Sequence, residues 1–213
     1  MIGPSSSHTA GAVRIGNISR MILGEDVCSA DIGFAGSFAQ TYRGHGTDLA
    51  IVAGLLGMLT DDERIRSSFE IARERGLKFT IKEISIPRVH PNTVRLHIKG
   101  NSGKESAVEG ASIGGGNIRI YSVNNMRTEF SGEADTLIIP HTDTPGVIAQ
   151  VTSLMSSYGI NIGNFKLTRL HKGFQSVMTV EIDCLTDAAV IEKLRSLPHV
   201  DNVVYLRAIQ NKE

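Results

Sequence analysis

The N-terminal segment concentrates hydroxyl and imidazole side chains in five consecutive positions, namely Ser5, Ser6, Ser7, His8 and Thr9. Pro4 precedes them, and an apolar pattern of helical period follows, which together are typical of the start of a helix. A helix N-terminus carries unpaired N–H groups and a partial positive charge, so a carboxylate or phosphate binds well there. Four hydroxyls around one titratable imidazole exceed what a helix cap requires. We therefore predict a small-anion site.

A second cluster, GHGTD, contains His45, Thr47 and Asp48. Its glycines let the backbone approach a ligand closely and leave the imidazole unobstructed at a helix start. We interpret the Thr-Asp pair as a helix cap and His45 as an additional functional group. Just upstream, Gly36 to Ala39 leaves a predicted strand, where α/β proteins commonly place ligand groups.

Two further clusters allow both a functional and a structural interpretation. In HPNT, His90 and Asn92 could reach a substrate carboxylate or amine, although local turn bonds are the more common role for such residues. In SIGGGN, which begins at Ser112, consecutive glycines form either an anion-binding nest or a flexible turn. His97 and His199 are interpreted as structural.

Several other chemistries lack their sequence signatures. There is no GxSxG nucleophile elbow between a predicted strand and a predicted helix, and the adjacent Ser7 and His8 cannot easily pair as nucleophile and base. His8, His45 and His90 contain no HxxxH-type ligand pair. Two distant cysteines without CxxC spacing argue against a disulfide framework and against a self-contained zinc or iron–sulfur site.

Composition points to a cytoplasmic protein of two small domains. The 213 residues include 22 Lys plus Arg and 22 Asp plus Glu, so no basic stripe for nucleic acid is expected. No apolar stretch reaches the length that spans a bilayer, and no signal peptide is recognised.

Residues 1–132 are predicted to form a mixed α/β domain that carries the four clusters. We expect helices at the N-terminus, from Thr47 through Met58, and from Thr60 to about Arg75, where Gly76 ends the helix. The predicted strands are Asp31–Gly36, Lys78–Ile86, Thr93–Lys99 and Asn117–Val123. Thr93–Lys99 alternates with period two, which predicts one buried face. The polar stretch from Asn125 to Ala134 is predicted to be a linker.

Residues 133–213 are predicted to follow the ferredoxin-like βαββαβ plan. The six elements are Thr136–Thr142, Pro145–Tyr158, Asn161–Leu170, Phe174–Asp183, Asp187–Leu197 and Asn202–Ala208. A turn at His171–Gly173 joins the middle strands, and Thr186-Asp187 caps the second helix. Asp143, before the first helix, suits an ammonium group and the helix N–H groups suit a carboxylate, although a plain helix cap explains the segment equally well.

In this order and spacing, PSSSHTAG, GHGTD, HPNT and SxGGG strongly resemble the β chain of bacterial iron–sulfur-dependent L-serine dehydratases. The resemblance implies an allosteric substrate-binding domain followed by an ACT domain, an α+β architecture overall. It also implies a partner α chain that holds a [4Fe–4S] cluster, and conversion of L-serine to pyruvate and ammonia without pyridoxal phosphate. Members of this family usually have about a dozen residues before the first motif, so we expect a late start or a truncated chain.

The resemblance assigns site residues motif by motif. Ser5, Ser6, Ser7, Thr9, Thr47 and Asp48 would bind substrate, with His90, Asn92 and Ser112 as further candidates, while His8 and His45 would be catalytic. The iron would act as a Lewis acid on the serine hydroxyl while a base takes the α-proton. In the ACT half, His141, Asp143 and Asn161 would bind an effector at an ACT–ACT interface, although the family pattern has Asn at position 143.

Two functional hypotheses follow. In one, the chain is an enzyme subunit that contributes substrate-pocket residues and forms a homodimer through either domain. In the other, it is a non-catalytic dimer that senses an amino acid.

Overall fold

A computed structural model describes residues 6–169, 173–183 and 188–209, with side chains from Thr9 onward. The chain divides into two compact units, Met1–Asn125 and Met126–Glu213. The sequence places this boundary between residues 132 and 133 instead. Part of the predicted linker is a strand, Met126–Phe130, so that segment is not an irregular connection.

Among its described residues, the first unit combines four α-helices with five strands. The helices are α1 (Ser6–Leu23), α2 (Ser37–His45), α3 (Thr47–Leu55) and α4 (Ser68–Glu74), with a 3₁₀ turn at Glu63–Ser67 before α4. The strands are β1 (Val27–Gly36), β2 (Lys78–Glu83), β3 (Asn92–Gly100), β4 (Glu105–Gly114) and β5 (Asn117–Val123). Within this unit the strand order is β2-β1-β3-β4-β5, and only the β1–β2 pair is parallel.

Helices cover one face of this sheet. On β3, Val94, Leu96 and Ile98 are buried, whereas His97 and Lys99 are exposed, as the alternating pattern predicts. Helix α1 packs on β3, β4 and β5, and α2 packs on β1 and β3. The apolar positions of α1 meet this buried layer, since Ala12, Ile15 and Ile18 are at most 1% exposed. Burial of these side chains provides the main stabilisation of the unit.

The second unit has the ferredoxin-like arrangement. After β6 (Met126–Phe130) come β7 (Asp135–Thr142), α5 (Val147–Ser157), β8 (Ile162–Arg169), β9 (Gln175–Ile182), α6 (Ala189–Arg195) and β10 (Val204–Leu206). The antiparallel sheet has the order β10-β7-β9-β8. The predicted βαββαβ succession is confirmed. Both helices contribute to its core, through Val151 and Met155 of α5 and Leu194 of α6.

The structure also corrects several predicted elements. Helix α2 occupies the segment that the sequence leaves between a strand and the GHGTD cluster, and β4 was not predicted. The helix predicted from Thr60 to Arg75 is instead a 3₁₀ turn followed by the seven-residue α4. The helix predicted to run through Met58 ends at Leu55, where Gly57 adopts a φ of 82°. The predicted turn at residues 171–172 and the predicted cap at residues 186–187 lie outside the described residues.

Candidate functional site

The start of α1 packs directly on the glycine-rich turn between β4 and β5. Gly11 faces Ser112 so closely that a Cβ on the glycine would overlap the serine side chain. Next to Gly11 on the helix, the methyl group of Ala10 would lie 3.4 Å from a Cβ on Gly116. The Arg14 guanidinium donates to the Gly116 carbonyl at 3.0 Å. The structure therefore brings the first and fourth motifs together across about one hundred residues of sequence.

Ser112 itself is fully buried at this contact. Its hydroxyl points toward the Asn117 carbonyl at 3.5 Å, which is at the limit of hydrogen-bond length. Gly11 lies directly against the Ser112 side chain, so Ser112 packs against α1.

Helices α1 and α3 run side by side in the same direction. Gly54 of α3 lies against the Val13 carbonyl, and four residues later in both segments the Asn17 amide donates to the Met58 carbonyl at 2.6 Å. Residue numbers thus increase in the same direction along both segments. The N-terminal ends of both helices consequently lie at the same end of the unit. This places Thr47, the first residue of α3, at the same end as the first turn of α1, which contains His8.

Two buried hydroxyls mark this end. Thr9 is 6% exposed and Thr47 is fully buried, yet neither hydroxyl has a hydrogen-bond partner among the residues that the structure describes. Buried polar atoms normally find partners, because an unmade hydrogen bond costs about 1–3 kcal/mol. Thr9 and Thr47 are thus two polar side chains of this region whose hydroxyls lack a hydrogen bond within the described residues.

The GHGTD cluster forms the junction between α2 and α3. His45 is the last residue of α2, and Gly46 turns the chain in the left-handed conformation with a φ of 67°. Asp48 lies in the first turn of α3, where its Oδ1 accepts from the Leu49 N–H at 2.9 Å. Burial raises the pKa of the Asp48 carboxyl, against the opposing effect of that hydrogen bond. The predicted Thr-Asp cap is wrong, because the N-cap residue of α3 is Gly46 and no side chain makes a cap bond.

The HPNT cluster is a turn held by its own side chains. His90 Nδ1 accepts from the Asn92 N–H at 3.2 Å, and the Thr93 hydroxyl donates to the His90 carbonyl at 2.7 Å. The Pro91 carbonyl accepts from the Phe38 N–H at 3.3 Å, and Pro91 leaves room only for a glycine at position 36. For His90 the structure thus shows a turn-stabilising bond at Nδ1.

Strand register brings the clusters to one end of the sheet. Gly36, at the end of β1, pairs with Asn92 at the start of β3, and Thr93 pairs with Ala111 near the end of β4. Gly114 then pairs with Asn117 across the glycine turn. All four motifs lie at this end, although the structure describes neither Ser5 nor the side chains of Ser6, Ser7 and His8. Helix N-termini and the buried hydroxyls of Thr9 and Thr47 at this end suit a small carboxylate ligand.

The three effector candidates do not share a site within one chain. His141 is buried at the end of β7, opposite Ser176, and its Nδ1 bonds the Thr142 carbonyl at 2.9 Å. Asn161 instead precedes β8, at the Ile182 end of the sheet, and donates to Asp183 at 2.8 Å. At about 3.3 Å per residue these ends lie roughly 20 Å apart. A site that uses both residues requires two copies of the chain.

Asp143 is engaged by the neighbouring hairpin. Its carboxylate accepts from the Gly173 N–H at 3.0 Å and pairs with Arg169 at 2.9 Å. The Gly173 N–H, followed by the Arg169 charge, lowers the pKa of the Asp143 carboxyl. The alternative interpretation of this segment as a plain helix cap is wrong, because no side chain caps α5.

A separate groove of about 520 Å³ lies on the exposed face of the first sheet. It contains none of the predicted site residues, and its lining includes Asp31, Thr80 and His97. The Thr80 hydroxyl donates to Asp31 at 2.6 Å. His97 lies on this outer face and is solvent-exposed.

His199 lies in a loop with a φ of 69°, where its carbonyl accepts from the Thr142 N–H.

Sequence reasoning missed Arg14, which is 2% exposed although it carries a charge. An arginine within a helix normally indicates a solvated face, so the sequence offers no signal for its burial.

Among the described residues no group of three or more His, Cys, Asp or Glu could hold a metal ion. Cys28 is half-buried in β1, and Cys184 lies outside the described residues. No helix in the described ranges is long and apolar enough to cross a membrane.

Comparison with known proteins matches both units. Residues 1–122 match the family described as serine dehydratase beta chain, and residues 136–199 match the ACT domain. The chain is 40% identical to the "Probable L-serine dehydratase, beta chain" of Bacillus subtilis, over 95% of this chain and 92% of that protein. It is 41% identical to the "L-serine dehydratase, beta chain" of Peptoniphilus asaccharolyticus, over 86% of this chain and 83% of that protein.

A more distant relative matches through both units. The D-3-phosphoglycerate dehydrogenase of Methanocaldococcus jannaschii is 28% identical over 92% of this chain, which corresponds to 37% of that protein. The part of that protein that is similar to this chain therefore belongs to a longer chain.

Proposed function

The chain belongs to the serine dehydratase beta chain family, and from this we propose that it acts as one subunit of an L-serine ammonia-lyase. The reaction removes water from L-serine to give an enamine, which tautomerises and hydrolyses to pyruvate and ammonia. A separate α chain completes the enzyme in this proposal, and the assembly is cytoplasmic and contains two copies of this chain.

One observation carries the proposal. The described parts of the four polar motifs, which are dispersed between residues 6 and 117, meet at one end of the first unit through strand register and helix packing. Accidental clusters would be distributed over the surface. Their convergence at adjacent helix starts provides N–H groups for a carboxylate and hydroxyls for an ammonium group, which are the two ends of an amino acid.

The roles divide between binding and proton transfer. Ser5, Ser6, Ser7, Thr9, Thr47 and Asp48 bind and orient the amino acid, with Asn92 and His90 at the neighbouring turn. His8 and His45 are the imidazoles that take the α-proton or position the substrate, since an imidazole ring nitrogen can accept or donate a proton. Neither role is assigned to one histidine over the other.

The described residues do not fit a [4Fe–4S] cluster. Such clusters are held by cysteine thiolates, usually four, and the described part of the chain offers Cys28 within a strand. We therefore assign the cluster to the α chain and derive no step through it. The contribution of this chain is the substrate pocket.

Anaerobic co-expression with a candidate α chain, assayed by pyruvate release from L-serine, tests the proposal. We expect turnover only when both chains are present, and loss of turnover in His8→Ala. His97→Ala is the matched control, because that histidine lies on the outer sheet face, and it should retain full activity.

A second candidate function is supported by the ACT unit, which is typical of amino-acid sensing: a regulatory dimer without catalysis of its own. If the α chain alone turns over L-serine at the full rate, this second function is correct and the catalytic assignments are wrong.

A further inference from the structure

Arg14 is a charged side chain in the interior of the first unit. It is 2% exposed, and its Nη1 donates to the Gly116 carbonyl at 3.0 Å, across 102 positions of sequence. Burial of a guanidinium is costly unless hydrogen bonds compensate for the lost water. An apolar residue of similar length would fill the same space without that cost. The retained charge therefore requires a reason beyond packing.

The partner of Arg14 is a turn with little rigidity of its own. Gly114, Gly115 and Gly116 have φ values of 109°, 62° and 83°, all in the left-handed half of the conformational map. Glycine loses more conformational entropy on ordering than any other residue. Three in succession give the β4–β5 turn a strong tendency to move, so an external tether matters here more than at an ordinary hairpin.

The tether acts on both partners. Arg14 lies one helical turn after Ala10, and Ala10 itself contacts the Gly116 position. Together with the Gly11–Ser112 contact, the Arg14 bond fixes the first turn of α1 on the end of the sheet. That first turn carries His8 and the hydroxyls assigned to the substrate.

We infer that Arg14 is a positioning residue: its bond to Gly116 holds the first turn of α1 and the β4–β5 turn in the geometry that binds the amino-acid substrate. This inference rests on the proposed function. Arg14 touches no reacting atom in it and acts through the backbone that it anchors. A misplacement of about 1 Å at such a site can cost a factor of about 100 in rate.

Kinetics of the two-chain enzyme separate positioning from simple stabilisation. The first turn of α1 carries both binding hydroxyls and His8, so loosening it raises KM and lowers kcat as well. For Arg14→Met we expect KM for L-serine to rise about tenfold or more, together with a fall in kcat. Arg14→Lys, which keeps one cationic donor, should fall between Arg14→Met and the wild type.

Arg20→Met is the matched control. Arg20 lies on the same helix, but its side chain is 36% exposed and pairs with Asp26 on the surface. The Arg20→Met variant should leave both KM and kcat for L-serine unchanged. If Arg14→Met lowers the melting temperature and leaves KM unchanged, Arg14 is structural only and the inference is wrong.

Hydrogen exchange on this chain alone provides a readout without catalysis. Arg14→Met should accelerate exchange of the Gly115 and Gly116 amides and of the first turn of α1, whereas Arg20→Met should not. Unchanged exchange at these amides overturns the inference even if the enzyme is active. If the wild-type complex does not release pyruvate, the proposed function fails while exchange still decides the tether. Should Arg14→Met not fold, Arg14→Lys carries both tests.

Discussion

Asp48 is the carboxyl of the candidate site whose pKa is raised by burial. A raised folded-state pKa means that the protonated form is favoured by folding. The associated stability is complete below the unfolded pKa, about 3.9, and is lost as the pH rises through the folded value. At neutral pH the charge of Asp48 therefore opposes folding.

Asp48→Asn should relieve this cost. The amide oxygen can still accept from the Leu49 N–H, so we expect a melting temperature equal to or above wild type at pH 7, with the difference disappearing below about pH 4. In the two-chain enzyme the same variant should turn over L-serine more slowly, because the amide cannot replace a carboxylate toward an ammonium group. Thermal unfolding from pH 4 to 8 and pyruvate release measure the two effects. Asp61→Asn, at an exposed position, is the control, and a lower melting temperature for Asp48→Asn at pH 7 would contradict the prediction.

At the scale of elements, the α1–α3 crossing sets the positions of both helix starts. A Cβ at Gly16 would lie 2.6 Å from the Ile51 carbonyl, and a Cβ at Gly54 would overlap the Val13 carbonyl. Both obstacles are backbone atoms, which cannot rotate away. The helices approach this closely only because each presents a glycine to the other.

Gly54→Ala and Gly16→Ala should each destabilise the chain by about 1–3 kcal/mol, as overpacking does in other cores. Equilibrium unfolding in urea measures the loss. The matched variant is Gly44→Ala in α2, where no atom lies within 4 Å of the added methyl group. It should be neutral or stabilising by up to about 1 kcal/mol, because alanine is the better helix former. Equal losses in all three variants would show that steric contact is not the cause.

The elements that sequence reasoning missed share a physical cause. Strand β4 contains two glycines and only two β-branched residues in its ten positions, so its composition does not indicate a strand. It forms because β3 and β5 pair with both of its edges. Helix α2 begins directly after a strand without a side-chain cap, and its start therefore lacks the usual signal.

The motifs of the site could be recognised from the sequence, but their convergence could not. It depends on which strands pair and in what register, which is a long-range property of the chain. Arg14 is the sharpest case. Its burial follows from where the β4–β5 turn lies, and no local pattern contains that information.

At the scale of the whole molecule, the substrate-site candidates lie in the first unit and the effector candidates in the second. This division predicts that changes at Asp143 leave the chemistry intact. Asp143→Ala should retain kcat for L-serine in the two-chain enzyme and should change regulation or oligomeric state, as measured by analytical ultracentrifugation with and without amino acids. Complete loss of turnover would overturn the division.

The lowered pKa of Asp143 adds a pH dependence to this variant. A depressed folded-state pKa contributes stability above the unfolded value of about 3.9, which is lost as the pH falls through the folded value. Wild type should therefore melt at a higher temperature than Asp143→Ala at pH 6. The two melting temperatures, followed as a function of pH, should converge below about pH 4. Asp183→Ala, at the opposite end of the same sheet, is the comparison.

The contact between Gly11 and Ser112 has a consequence for how this sequence can change. The two residues share one small space, so neither Gly11→Ala nor a larger residue at 112 is acceptable alone. Gly11→Ala combined with Ser112→Gly redistributes the same volume, and in a combinatorial library we expect the pair to be recovered where the single Gly11→Ala change is absent. The two motifs are therefore epistatically coupled, because a substitution at one position is tolerated only with a compensating substitution at the other. A mutational path that changes them one at a time passes through chains that do not fold.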